Sequence, residues 1–164
     1  MAELRNDRGA LRCALTLAGR ASPAGPPAGG TAEPALELLA TAAVEYLDAR
    51  DGEWWPLVRL PPLRLAAAQV DELLAGAAAL LRGEGEGFAW RAGDGAPLAL
   101  QLGAAPGGAV VEVGLDLSAF LADAAGVSGA PGPELALFRF RAAQADLVRF
   151  SDALAEELGA VRAS

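Results

Sequence analysis

The chain contains no histidine, no lysine and no isoleucine, and its single cysteine is Cys13. Without histidine, neither a Ser-His-Asp triad nor a Cys-His dyad can be assembled, and no His-bearing zinc site can form. One cysteine excludes an intrachain disulfide and any cysteine-rich metal site, and it agrees with a reducing compartment. Cys13 sits in an alternating apolar run, so it reads as a small buried hydrophobe. Aromatic residues make up only 5% of the chain, and Tyr46 is the one tyrosine. It reads as a core residue with its hydroxyl at an edge. No stretch of about 18 residues is both apolar and free of charges and breakers, so no membrane span is expected. Residues 1–8 are charged and lack the apolar run of a signal peptide. These absences predict a cytoplasmic protein with no metal, no cofactor and no catalytic residue.

What is present is acidic and apolar. Arginine supplies all 13 basic residues against 21 acidic ones, giving a net charge of −8. The basic residues do not cluster; the closest are Arg139 and Arg141 on alternate strand positions. Nucleic-acid binding relies on clustered cations, so no nucleic-acid partner is expected. An acidic surface keeps a protein soluble and steers basic partners toward it. Ala, Gly, Pro, Arg and Leu dominate, the usage of a GC-rich, bacterial genome. The glycine and proline counts are therefore not by themselves a sign of disorder. With 164 residues and 53% apolar content, a single domain over 1–164 can bury a sizeable core.

Periodicity predicts the elements. Leu11, Cys13, Leu15 and Leu17 alternate with Arg12, Ala14 and Thr16, a strand with one wet face. The Ala/Gly/Pro-rich stretch 21–34 reads as a flexible loop. A long strand follows over 36–46, then a hairpin into a strand over 54–60. A three-residue loop over 50–52 would set Val44 opposite Val58 and Ala42 opposite Leu60, keeping apolar partners on one face. Pro61-Pro62 should block further ladder pairing. Val70, Leu73, Leu74, Ala77, Leu80 and Leu81 then mark a helix, with Asp71 and Glu72 near its start, Arg82 near its end and Gly83 beyond. An antiparallel meander follows: Phe88 and Trp90; a turn at Gly93-Asp94-Gly95; Leu98, Leu100 and Leu102; then Val111, Val113, Leu115 and Leu117. A short helix is expected over 118–125 and a loop over 127–133. Ala136, Phe138 and Phe140 face inward on a last strand. A second helix over 143–158 closes the chain, stopped by Gly159. No internal repeat is visible. The fold class is α+β: a mainly antiparallel sheet of about six or seven strands, with two amphipathic helices packed on one face.

Most chemical motifs fail on inspection. Glu112 and Asp116 lie four apart on one strand, about 13 Å along it, too far for a cooperating acid–base pair. Gly83-Glu84-Gly85-Glu86-Gly87 is glycine-rich, but it follows a helix and leads into a strand. A phosphate cradle needs the reverse order, and two glutamates repel an anion. The run reads as a connector, or as an acidic loop that meets a basic partner through Glu84 and Glu86. Trp54 and Trp55 follow the acidic turn of Asp48, Asp51 and Glu53. Neighbours on a strand face opposite sides, so one ring faces away from any shared core. An exposed Trp beside acids is a candidate contact anchor. The candidate partner-binding set is therefore Asp51, Glu53, Trp54, Trp55, Glu84 and Glu86.

The run 36–102 resembles the WapI-type family of small bacterial immunity proteins. It carries a strand, a Trp-bearing hairpin, the helix LRLAAAQVDELLAGAAALLRG, then FAW and a Leu-alternating strand. The closing LFRFRAAQADLVRFSDALAEEL, a strand running into a terminal helix, is similar too. The loop at 21–34 and the insert around 118–133 depart from the pattern. The resemblance implies a non-enzymatic protein that binds and neutralises a toxin. An acidic surface would suit a basic toxin. The competing readings are a structural or adaptor domain that forms a homodimer through an exposed sheet edge, and an enzyme built from carboxylates and arginine alone.

Overall fold

Period-two alternation builds two antiparallel sheets in this computed structural model, which describes residues 1–21, 36–60, 62–92, 97–116 and 135–164. The first sheet runs through β1 (Ala2–Arg5), β2 (Leu11–Arg20), β3 (Glu37–Leu47) and β4 (Trp54–Arg59), and β5 (Leu63–Ala66) also pairs with β3. Helix α1 (Ala67–Leu81) follows. The second sheet is the meander β6 (Gly87–Arg91), β7 (Leu98–Ala105), β8 (Gly108–Asp116) and β9 (Leu135–Ala143), and it leads into α2 (Gln144–Ala163). The α+β class and the antiparallel pairing are as the sequence predicts. The described strands number nine and divide between two sheets, in place of six or seven in one.

The additional strands are β1 and β5. Each has four residues, with Ala2 and Leu4, or Leu63 and Leu65, facing the core. Two inward residues are too few to show as a period. Pairing with β3 resumes soon after β4. Leu60 still donates its N–H to Ala42 O at 2.8 Å, and pairing resumes with Leu63 opposite Ala40.

One apolar cluster joins both sheets to both helices. Val70, Leu73 and Ala77 enter it from α1, and Leu147, Phe150, Leu154, Leu158 and Val161 from α2. Burying side chains of this size stabilises the fold by about 1.5–3 kcal/mol each. Asp7 N–H donates to Arg141 O at 2.8 Å, tying the β1–β2 turn to β9 of the other sheet.

Helix ends differ from expectation for local reasons. Helix α1 starts at Ala67, so Asp71 and Glu72 lie in its second turn; Gln69 Oε1 accepts the Ala66 N–H at 2.9 Å and does the capping. Gly83 does take the left-handed backbone beyond the helix, with φ +73°. Gly159 does not stop α2. The helix continues because Val161 is buried and because Arg20 donates to Val161 O and Arg162 O at 3.2 and 3.1 Å, satisfying C-terminal carbonyls.

The element order repeats although the sequence shows no repeat. Each unit is an antiparallel meander that passes directly into a helix. Ala66 and Ala143 occupy the two strand-to-helix joints, both extended and neither with a side chain of its own that can cap the helix. The expected turn at Gly93-Asp94-Gly95, the short helix over 118–125, the loop over 127–133 and all of the 21–34 stretch except Ala21 lie outside the described residues.

Candidate functional site

The β3–β4 hairpin is built by its acids. Asp48 Oδ1 accepts the Arg50 N–H and Asp51 Oδ1 accepts the Glu53 N–H, each at 2.9 Å. Such Asx contacts fix a turn by offering the backbone a local partner. Gly52 takes φ +73°, and its N–H reaches Asp48 O at 2.9 Å. Val44 pairs with Val58, as apolar matching predicts, but Glu45 pairs with Pro56, leaving Leu57 as an extra residue. This bulge reconciles a loop one residue longer than the predicted 50–52 with the predicted register farther along.

Adjacent tryptophans go to opposite faces. Trp54 lies on the face away from the core, under Arg12 at 4.2 Å and Arg5 at 5.6 Å from its ring centroid. A guanidinium over an indole contributes roughly 0.5–2 kcal/mol, more as water is excluded. Arg12 is shared between Glu45 at 2.7 Å and Glu3 at 2.6 Å, while Arg5 also meets Glu3 at 2.5 Å and Arg59 approaches Glu45 at 3.8 Å. Glu45 is only 7% exposed, so this pairing offsets a real desolvation cost.

Trp55 stays open to solvent at 48% exposure. Its cross-strand partner is Tyr46, which is 39% exposed rather than in the core, and Leu57 beside it is 48% exposed. Tyr46 has the parity of the core-facing row, but that row's buried part ends at Val44. Together with exposed Asp51 and Glu53, these three make an apolar patch beside an acidic turn.

Glu84 and Glu86 do not join this patch. They lie in the joint from α1 to β6, on the second sheet. Arg82 grips Glu84 with two donors at 2.8 and 2.7 Å, and this hydrogen bonding holds the Glu84 carboxyl below its usual range. The Glu86 carbonyl accepts the Ala104 N–H at 2.7 Å, stitching the segment to β7. Gly87 permits that closeness, because a Cβ there would meet Leu102 O at 2.4 Å. The run behaves as a tied connector.

Burial pushes the Cys13 thiol up to about 12, so at neutral pH it is no nucleophile. Glu112 faces Arg139 across β8 and β9 at 3.1 Å. Sequence reasoning missed the Glu3–Arg12–Glu45 network. Its signal was there: each residue occupies the outward parity of its strand, and only strand order brings them together. Among the described residues no helix is long and apolar enough to cross a membrane. Compared with known proteins, the chain matches no family model and no curated relative.

Proposed function

We propose that this chain is a non-enzymatic binding module that takes a basic protein partner on the β3–β4 hairpin. Trp55 is the anchor, Tyr46 and Leu57 widen the apolar contact, and Asp51 and Glu53 supply complementary charge. The observation that carries this reading is the joint exposure of Trp55, Tyr46 and Leu57 at the hairpin end of the paired strands β3 and β4. Large exposed aromatics rimmed by charge are what partner surfaces use as anchors. Immunity against a cognate toxin in the cytoplasm, as the WapI-type resemblance implies, is the specific form of this role. Glu84 and Glu86 are peripheral to it.

The test uses the protein products encoded beside this gene. Wild type, Trp55→Ala and the double variant Asp51→Asn/Glu53→Gln are titrated against each by calorimetry. Loss of an anchor costs about 2 kcal/mol or more, roughly a thirtyfold weakening. The double variant should mainly slow association and flatten its salt dependence. Equal binding by wild type and Trp55→Ala would sink the proposal. A concentration-dependent homodimer abolished by Trp55→Ala would instead favour self-association through the β4 edge, because among the described strands β4 pairs only with β3.

A further inference from the structure

A cleft of about 490 Å3 opens between the first strand and the terminal helix. Met1, Glu3 and Arg5 form one wall, and Asp146, Arg149 and Ala153 form the other. This volume falls in the range of small-molecule sites. Its charges are not equivalent. Glu3 is committed twice, to Arg5 at 2.5 Å and to Arg12 at 2.6 Å, and Asp146 is committed to Arg149 at 2.5 Å. A guanidinium has five N–H donors, and Arg5 and Arg149 each give one nitrogen to these acids. Each wall therefore keeps unused donors on a cation, beside a carboxylate that is already paired with that cation. Arg5 lies over Trp54 at 5.6 Å and Arg149 meets Asp146, so each cation has one contact that restricts it before any ligand arrives.

From this geometry we propose that the cleft binds a small organic dianion, bridged between Arg5 and Arg149 through carboxylate or phosphate oxygens. Guanidinium forks match such oxyanions bidentately, and charge-assisted bonds of this kind are among the stronger hydrogen bonds. Met1 and Ala153 offer the apolar surface that a short carbon body would cover. The site is separate from the Trp55 patch and does not depend on it.

The experiment titrates the full chain with succinate and, separately, with inorganic phosphate, at constant ionic strength. Thermal stability and tryptophan emission are followed together, since Trp54 touches Arg5 and reports on its movement. Succinate should raise Tm saturably. Arg149→Gln and Arg5→Gln should each weaken the apparent affinity roughly tenfold or more. Arg149 is 70% exposed, so its substitution leaves the fold standing even if Arg5→Gln does not fold. Arg50→Gln, in the hairpin turn, should change nothing. Saturation by phosphate but not by succinate supports the site and assigns it to phosphate. The proposal is overturned if neither anion acts, if sodium chloride acts equally, or if Arg149→Gln keeps wild-type affinity.

Discussion

The two sheets share an element order and differ in what their outer faces carry. On the first, Glu3, Arg12, Glu45 and Arg59 form linked ion pairs over Trp54, while the exposed Trp55 patch lies on the opposite, core-side parity at the hairpin end. On the second, the outward rows carry Ala89, Ala99, Gln101, Gly103 and Gly114 together with Arg91, Arg141 and Asp116, and Glu112 pairs with Arg139 across β8 and β9. Both sheets bury their inner face in the same way, so packing does not require this contrast. What differs is burial: Arg12 on the first sheet is largely covered and shared by two carboxylates, whereas Arg139 on the second is largely exposed. The candidate binding surface lies instead where the core-side row of β3 and β4 runs past the buried core at one end of the first sheet and leaves Tyr46 and Trp55 exposed.

The strongest way to break the comparison is to ask whether the halves are independent. Phe150 in α2 is 1% exposed, within a cluster that draws on both sheets. Phe150→Ala should cost about 3–5 kcal/mol. A calorimetric scan should show one transition lowered by roughly 10 °C. Two separated transitions would mean that each meander and its helix fold alone, and the shared-scaffold argument would fail.

Much of this architecture could be read from residue order, and the exceptions have physical causes. The long strands were legible because Leu38, Ala40, Ala42 and Val44 repeat often enough to set a period. Helix α1 was legible from Val70, Leu73 and Ala77 at helical spacing. The division into two sheets was not, because strands pair with near neighbours in the chain and residue order does not mark that pairing stops across α1. The opposed faces of Trp54 and Trp55 followed from strand geometry alone. Which ring stayed open depended on Arg5 and Arg12, contributed by two other strands. Glu84 misled because its partner, Arg82, is local and neutralises it within the same connector.

A smaller effect sharpens the contrast between outer faces. Arg12 is 12% exposed and serves two carboxylates, whereas Arg139 is 68% exposed and serves one. Arg12→Gln leaves Glu45 buried without its nearest cation and uncovers Trp54, so about 2–3 kcal/mol should be lost, short of the cost of breaking a fully buried pair. Arg139→Gln should stay within about 0.5 kcal/mol, as exposed pairs do. Urea denaturation of both variants decides the matter. Equal losses would show that the two faces are energetically alike despite their composition.

The smallest stability effect carries the most information about function. Trp55→Phe should change stability by less than about 0.5 kcal/mol, because the ring is already half in water. Trp54→Phe should lose more, since the indole is the better cation–π partner for the arginines above it. Fluorescence quenching separates the two rings without any partner. Acrylamide should quench a fraction of the emission that disappears in Trp55→Phe and persists in Trp54→Phe. Asp51 and Glu53 beside Trp55 should make caesium a better quencher of that fraction than iodide, because the acids attract cations and repel anions. In Asp51→Asn/Glu53→Gln the preference should vanish. If iodide quenches Trp55 as well as caesium does in the wild type, the acidic turn does not set the field at the anchor. A basic partner would then lose its electrostatic rationale while the apolar patch remained.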